Sequence, residues 1–363
     1  MTETVLIAGA GLAGSRTAET LRSLGHRGRI VVAGDEPHPP YERPALSKEL
    51  LGGARDDPWL RPPRFWEKHG IELLLDTSVR DVDRARRTAL VGSEQMQWDS
   101  LVVATGVRAR RISGPPGIHH LRTLDDALAL RNDLDERSRV VIVGAGFIGG
   151  EVASTVVGSV ASVTVVEPQS APLERILGPE IGGLLAARHR AYGIDLRLNV
   201  GVEGFAGDGQ IEQVRLTDGD TISADVVVVG IGTTGEAVEV DACGRTATPG
   251  VYACGDVAAW WRPSLERHLR TEHWTSAAGQ ARAVASSIVG APSPYDEPGF
   301  FWSDQLGLRL QHVGHAETWH AVVLEGNEDA FTARYVDREG HLLAALAANS
   351  ATAIGSFRRE LVA

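Results

Sequence analysis

Cysteine is nearly absent from this chain of 363 residues: Cys243 and Cys254 are too few for a disulfide framework and too far apart for a Cys-x-x-Cys redox pair. Cys254 closes the apolar run Val251-Tyr252-Ala253-Cys254, where a thiol behaves as a small hydrophobe. Neither cysteine is therefore expected to do redox work. Long hydrophobic runs are also lacking, and no stretch approaches the ~18 apolar residues of a membrane span. The N-terminus enters its first strand without the basic, apolar and small-residue blocks of a secretory leader, so a cytoplasmic chain is expected. Positive charge is in deficit: 36 basic against 47 acidic residues leave −11, which argues against a nucleic-acid partner. The arginine clusters at Arg61 and Arg64, Arg84 to Arg87, Arg108 to Arg111 and Arg358-Arg359 read as solvated surface, with room for one to dock an acidic partner.

Glycine, by contrast, is used twice in one pattern. Gly9-Ala10-Gly11-Leu12-Ala13-Gly14 and Gly144-Ala145-Gly146-Phe147-Ile148-Gly149 stand 135 positions apart, 144 minus 9. Each follows an apolar β-branched run, Val5 to Ala8 in one and Val140 to Val143 in the other, and each leads into a helical pattern. In such a device the first glycine permits the tight turn, the second lets backbone approach a pyrophosphate, and the third lets helix pack on strand. The helix N-terminus then faces the anion. An acid at the end of the next strand, roughly 20 residues on, completes it by accepting hydrogen bonds from a ribose. Asp35 and Glu36 follow the first copy, and Glu167 the second. A carboxylate at 167 repels a 2′-phosphate, so the second site is expected to prefer NADH to NADPH.

At this length two or three domains are expected. The strand Leu101 to Ala104 ends in Thr105-Gly106, and an arginine-, glycine- and proline-rich linker follows at 108 to 118. Leu124 to Leu134 reads as helix, Ala224 to Val229 as strand closing in Gly230-Ile231-Gly232, and Thr275 to Val289 as helix. Alternating strands are expected after the linker 292 to 298. Gly255-Asp256 ends a short buried strand. It reads either as a close backbone approach with a carboxylate for a sugar-alcohol chain, or as a simple turn or helix N-cap.

Further motifs carry a resemblance. Tyr41-Glu42-Arg43-Pro44-Ala45-Leu46-Ser47-Lys48, Ala104-Thr105-Gly106, Leu121-Arg122-Thr123-Leu124-Asp125-Asp126-Ala127, Tyr252-Ala253-Cys254-Gly255-Asp256-Val257, Glu272-His273-Trp274 and Phe301-Trp302-Ser303-Asp304-Gln305 occur in that order. Together with the glycine motifs they run from residue 5 to about 315, and the chain resembles the NADH-dependent, FAD-containing ferredoxin reductases of bacterial oxygenase systems. The resemblance implies an α/β glutathione-reductase fold with two Rossmann-like dinucleotide-binding domains and a small α+β C-terminal interface domain. It assigns 1–107 and 229–292 to FAD, 108–228 to NADH, and 293–363 to a shortened interface domain. It places Lys48 beside the flavin N5, paired with Glu151, where an ammonium can stabilise charge on the reduced ring. It makes Arg43 a flavin or pyrophosphate contact and Asp256 the ribityl partner, and sets Trp274, Phe300 and Trp302 over the flavin edge.

The disulfide-using relatives carry a cysteine pair near the Lys48 position; this chain has none. The resemblance therefore implies a hydride from NADH to FAD and single electrons onward to a [2Fe-2S] ferredoxin, with rubredoxin or a quinone as other acceptors. After Gly232 the chain runs through Thr233-Thr234-Gly235-Glu236 directly to Val238, so a segment usual in the family is missing. That loss leaves open a quinone or dye reductase with an exposed flavin, a redox-sensing flavin-binding protein, and a monomer or a homodimer.

Overall fold

The computed structural model describes residues 3–362; Met1, Thr2 and Ala363, at the ends of the expected domains, lie outside the described residues. The chain forms two compact units. One comprises residues up to 42 with 59–107 and 235–301, the other 43–58 with 108–234 and 302 onward.

The first unit is built on a five-stranded parallel sheet in the order Val251–Ala253, Ser100–Val103, Thr4–Ala8, Arg29–Ala33, Ile71–Leu74. A parallel sheet is covered on both faces, which is why its strands are apolar throughout. Strand alternation sorts them: Val5, Ile7 and Val32 face a core shared with Leu21, Trp260 and Val284, while Leu6 and Val31 face Ala89, Val91 and Trp98. Leu21 and Val284 come from the helices Leu12–Ser23 and Trp274–Ile288, the latter shifted by one residue from the expected 275 to 289.

The second unit repeats the plan. Its parallel sheet has the order Asp195–Leu198, Ser162–Glu167, Arg139–Val143, Val226–Val229, Ile118–His120. The helix Leu124–Asp133 starts at a capping box in which Thr123 accepts from the Asp126 N–H and Asp126 returns to the Thr123 N–H. The linker expected at 108 to 118 is in part ordered, since Arg108–Ala109 pairs with Thr233–Thr234 in a short antiparallel ladder. The alternating strands expected at the C-terminal end form one five-stranded sheet, followed by the helix Ala351–Glu360. Segment 43–58 packs within this unit, where Arg131 holds the Leu50 carbonyl and the Asp56 carboxylate. Among the described residues no helix is long and apolar enough to cross a membrane.

Candidate functional site

The two glycine turns are the same object made twice. Gly9 and Gly144 adopt φ of +115° and +100°, values that favour glycine. Gly9 N–H donates to Ala33 and Gly144 N–H to Val166, tying each turn to the neighbouring strand. A Cβ on Gly9 would lie 2.2 Å from the Ala104 carbonyl oxygen, and one on Gly144 would lie 2.5 Å from that of Gly230. A Cβ on the third glycine would strike the first at 1.9 Å for Gly14 and 2.0 Å for Gly149. These four glycines answer to the protein's own packing.

The second glycine of each turn does not. A Cβ on Gly11 would meet nothing within 4 Å, and one on Gly146 would meet only the Gly230 oxygen at 3.9 Å. Each is the N-cap of its helix, neither helix has a side-chain cap, and neither has an acid in its first turn. Open space over uncapped N–H groups at a helix start fits a pyrophosphate in both turns. Leu12 and Ala13 begin the first helix, and Phe147 and Ile148 the second, with Ile148 40% exposed.

The acids differ. Glu167 accepts from the Ala145 N–H at 2.8 Å and from the Gln169 N–H at 2.9 Å, so its carboxylate is fixed at the mouth of the second glycine turn. Asp35 is exposed, and Glu36 accepts the Tyr41 hydroxyl at 2.5 Å. Ala104, Thr105 and Gly106 leave the strand Ser100–Val103 against the Gly9 turn, with Gly106 at φ +68°. Gly232 is exposed at φ +95°, and its carbonyl accepts from the Arg110 N–H.

Gly255 is required by packing, since at φ +78° its Cβ would lie 2.8 Å from Ala13 Cβ, and its N–H is taken by buried Gln280 at 2.8 Å. Asp256 is half-buried in a turn closed by the Ala258 N–H on the Gly255 carbonyl; the turn feeds the strand Ala258–Arg262 and caps no helix. Arg43 opens a 3-10 turn and donates to the Arg122 carbonyl. Trp274 and Phe300 are neighbours in the first unit, joined through Thr275, whose hydroxyl donates to the Phe300 carbonyl at 2.5 Å. Trp302 is half-buried and belongs to the second unit.

The most concentrated chemistry lies in the second unit. Lys48 Nζ sits 2.7 Å from Glu151 Oε2, with side chains 13% and 5% exposed. Lys48 comes from the loop 43–58, and Glu151 from the first turns of the helix Phe147–Val156. Two hydroxyls join the carboxylate: Ser47 donates to Oε2 at 2.5 Å and Ser303 to Oε1 at 2.7 Å. Thr155, one helical turn after Glu151, donates its hydroxyl to the Ser47 carbonyl at 2.7 Å. Breaking such a buried pair by deleting one partner costs about 3–5 kcal/mol, because the charge left behind is uncompensated. The resemblance gave roles to Lys48 and Glu151, while Ser47, Ser303 and Gln305 stood in its motifs without a role. One signal was present: in the alternating strand Phe300–Gln305, Ser303 and Gln305 share the buried face with Phe301.

The first unit bears a groove lined by Arg16, Arg22, Phe65, His69, Trp274 and Arg282. Glu19 also lines it and pairs with Arg16 at 2.7 Å, so the groove keeps a local excess of positive charge in a chain of net charge −11. Neither cysteine is activated by its surroundings: Cys254 is fully buried beside Thr17, and burial pushes its thiol up to about 12, while partial burial and Asp241 raise Cys243. A thiol reagent at pH 8 should modify at most Cys243 in the native protein and both cysteines after denaturation. Rapid native labelling of Cys254, read by mass spectrometry, would contradict this.

Two pyrophosphate-ready glycine turns, an acid at the mouth of the second and a buried lysine–glutamate pair define a two-dinucleotide oxidoreductase. Residues 3–281 match the family model described as pyridine nucleotide-disulphide oxidoreductase, and residues 300–363 match the reductase C-terminal model. The chain belongs to the pyridine nucleotide-disulphide oxidoreductase family. It is similar to the ferredoxin reductase subunit of 5,5'-dehydrodivanillate O-demethylase from Sphingobium sp., 38% identical over 364 residues that cover 93% of this chain and 88% of that one. It is 36% identical to the ferredoxin–NAD(+) reductase subunit of the benzene 1,2-dioxygenase system of Pseudomonas putida, over 90% of this chain and 84% of the relative. The crystal structure of the covalent putidaredoxin reductase–putidaredoxin complex aligns with a TM-score of 0.95 at 29% identity, covering 99% of this chain and 93% of that chain.

Proposed function

We propose that this chain is an FAD-dependent NADH:ferredoxin oxidoreductase of an oxygenase system, working in the cytoplasm. The buried Lys48–Glu151 pair, in a protein with no neighbouring cysteine pair, carries the reading. The Gly9 turn holds the FAD pyrophosphate, and Arg43 and Asp256 add contacts to that cofactor. The Gly144 turn and Glu167 hold the pyrophosphate and ribose of NADH. This keeps FAD with 1–107 and 229–292, NADH with 108–228, and the interface role with 293–363. When bound, FAD supplies the means to accept electrons as a pair and release them one at a time. Lys48 provides the fixed positive charge for the reduced ring, and Glu151 holds that ammonium and lines the nicotinamide pocket. Without a cysteine pair to store them, the electrons suit a one-electron [2Fe-2S] ferredoxin; the names of the relatives also carry a ferredoxin.

The groove of Arg16, Arg22 and Arg282, with Glu19 paired to Arg16, keeps an excess of positive charge that suits an acidic ferredoxin, because opposite charge steers encounter while half-buried Phe65 and Trp274 add apolar contact. The deciding experiment is NADH-driven cytochrome c reduction with and without an acidic [2Fe-2S] ferredoxin, beside a quinone control. Saturable stimulation by ferredoxin is expected, weakened by salt. Arg282→Glu should raise the KM for ferredoxin on the order of tenfold and leave NADH:ferricyanide activity unchanged. Fast quinone turnover without ferredoxin stimulation would remove the proposed acceptor.

A further inference from the structure

We infer that Ser303 is a positioning residue for the redox pair, acting with Gln305 to hold the second oxygen of Glu151 from the C-terminal sheet. The inference rests on the reading of Lys48 and Glu151 given above and extends it to a residue 152 positions away in sequence. Glu151 is 4% exposed, so both carboxylate oxygens depend on the protein for donors. Oε2 has two, the Lys48 ammonium and the Ser47 hydroxyl. Oε1 receives the Ser303 hydroxyl.

The hydroxyl is aimed. Ser303 is fully buried, and its Oγ accepts from Gln305 Nε2 at 3.0 Å. A serine has one proton to give, and with its oxygen occupied by Gln305 that proton goes to Glu151. Gln305, 3% exposed, is accommodated because residue 150 is glycine: a Cβ there would lie 2.2 Å from Gln305 Oε1. The strand end is then locked to the same helix by the Leu306 N–H, which donates to Ser154 Oγ at 2.7 Å. Helix positions 150, 151 and 154 thus meet strand positions 305 and 303 and the following residue 306 in one polar seam.

The seam has a consequence for Lys48. Its ammonium has two anchors, Glu151 and, at 3.2 Å, the Pro44 carbonyl, so the rotamer of Glu151 sets where the positive charge stands. Removing the Ser303 hydroxyl leaves a buried anionic oxygen without its donor; the carboxylate turns to find another, and Lys48 turns with it. Such displacements affect rate more than binding, because reacting groups tolerate little misplacement.

Ser303→Ala, Ser303→Thr, Glu151→Gln and the Ser303→Ala/Glu151→Gln double variant should be purified with flavin and reduced anaerobically by NADH in stopped flow. The same proteins, stripped of flavin, should be melted. Ser303→Ala should lower the limiting rate of flavin reduction on the order of tenfold, with the NADH dissociation constant within about twofold of the parent. In the Glu151→Gln background the same change should alter that rate by less than about twofold. Ser303→Thr, which keeps the hydroxyl, should restore most of the rate. In the flavin-free proteins the melting-temperature losses from the two sites should be non-additive, since the residues are in contact. Equal slowing in both backgrounds, a threonine variant as slow as the alanine variant, or additive melting losses would each overturn the positioning role. If Glu151→Gln alone reduces at the parental rate, the redox reading of Glu151 fails, while the melting data still decide whether Ser303 and Glu151 are coupled.

Discussion

Lys48→Ala should slow the reduction of bound flavin by NADH by about 10²–10³-fold, the usual effect of deleting one preorganised donor that meets charge developing in a transition state. FAD retention should change far less, because Lys48 is anchored by Glu151 and the Pro44 carbonyl and takes no part in the Gly9 turn. The variant should also melt earlier. Glu151, with its side chain 5% exposed, would lose the cation on Oε2 and keep only the two serine hydroxyls, and an uncompensated buried charge costs about 3–5 kcal/mol. The two effects separate in a Lys48→Ala/Glu151→Ala variant. Removing both charges should recover much of the melting temperature and none of the rate. If the double variant regains the rate as well, the pair is structural, and the redox role of Lys48 is lost. Stopped-flow reduction and a thermal melt on the same samples provide both readings.

Glu167→Arg should lower kcat/KM for NADH by about 10- to 150-fold, as expected for the loss of a charged hydrogen bond of about 1.5–3 kcal/mol. It should raise kcat/KM for NADPH, so that the preference shifts towards the phosphorylated nucleotide. The geometry calls for a second variant, because Glu167 also accepts from the Ala145 and Gln169 N–H groups. Glu167→Gln keeps an oxygen for one of these amides and removes the charge. If the carboxylate reads the ribose, the glutamine variant loses NADH efficiency without gaining NADPH efficiency, and only arginine moves the preference. Selectivity left unchanged by both substitutions would take Glu167 out of the ribose site and leave it as a loop fastener.

Much of the fold was legible because local chemistry is local in sequence. The β-branched runs at 5 to 8 and 140 to 143 became the parallel strands expected of runs buried on both faces. The helix expected at Leu124 to Leu134 runs Leu124–Asp133, started by a capping box written in Thr123 and Asp126. Gly255 shows where such reading falls short. A glycine before an aspartate suits a ligand's close approach, yet here its N–H is held by Gln280 and its missing side chain makes room for Ala13. Neither partner is near it in sequence, so no local pattern could choose between ligand and packing.

The repeated glycine spacing by itself determined the two α/β glycine turns, and the end of each second strand determined where an acid would stand, because turn and cap geometry depend on a handful of consecutive residues. Only the tertiary structure decided what a Cβ would meet at each glycine: the Gly9 carbonyl oxygen at 1.9 Å from Gly14, and nothing within 4 Å of Gly11. It also decided the setting of Glu151. Ser47 lies 104 positions before it and Ser303 lies 152 after it, and hydrogen bonds at such separations are fixed by how sheet, helix and loop close on one another. A buried carboxylate must find donors wherever the chain can bring them. The sequence names the acid, and packing chooses the hydroxyls that hold it.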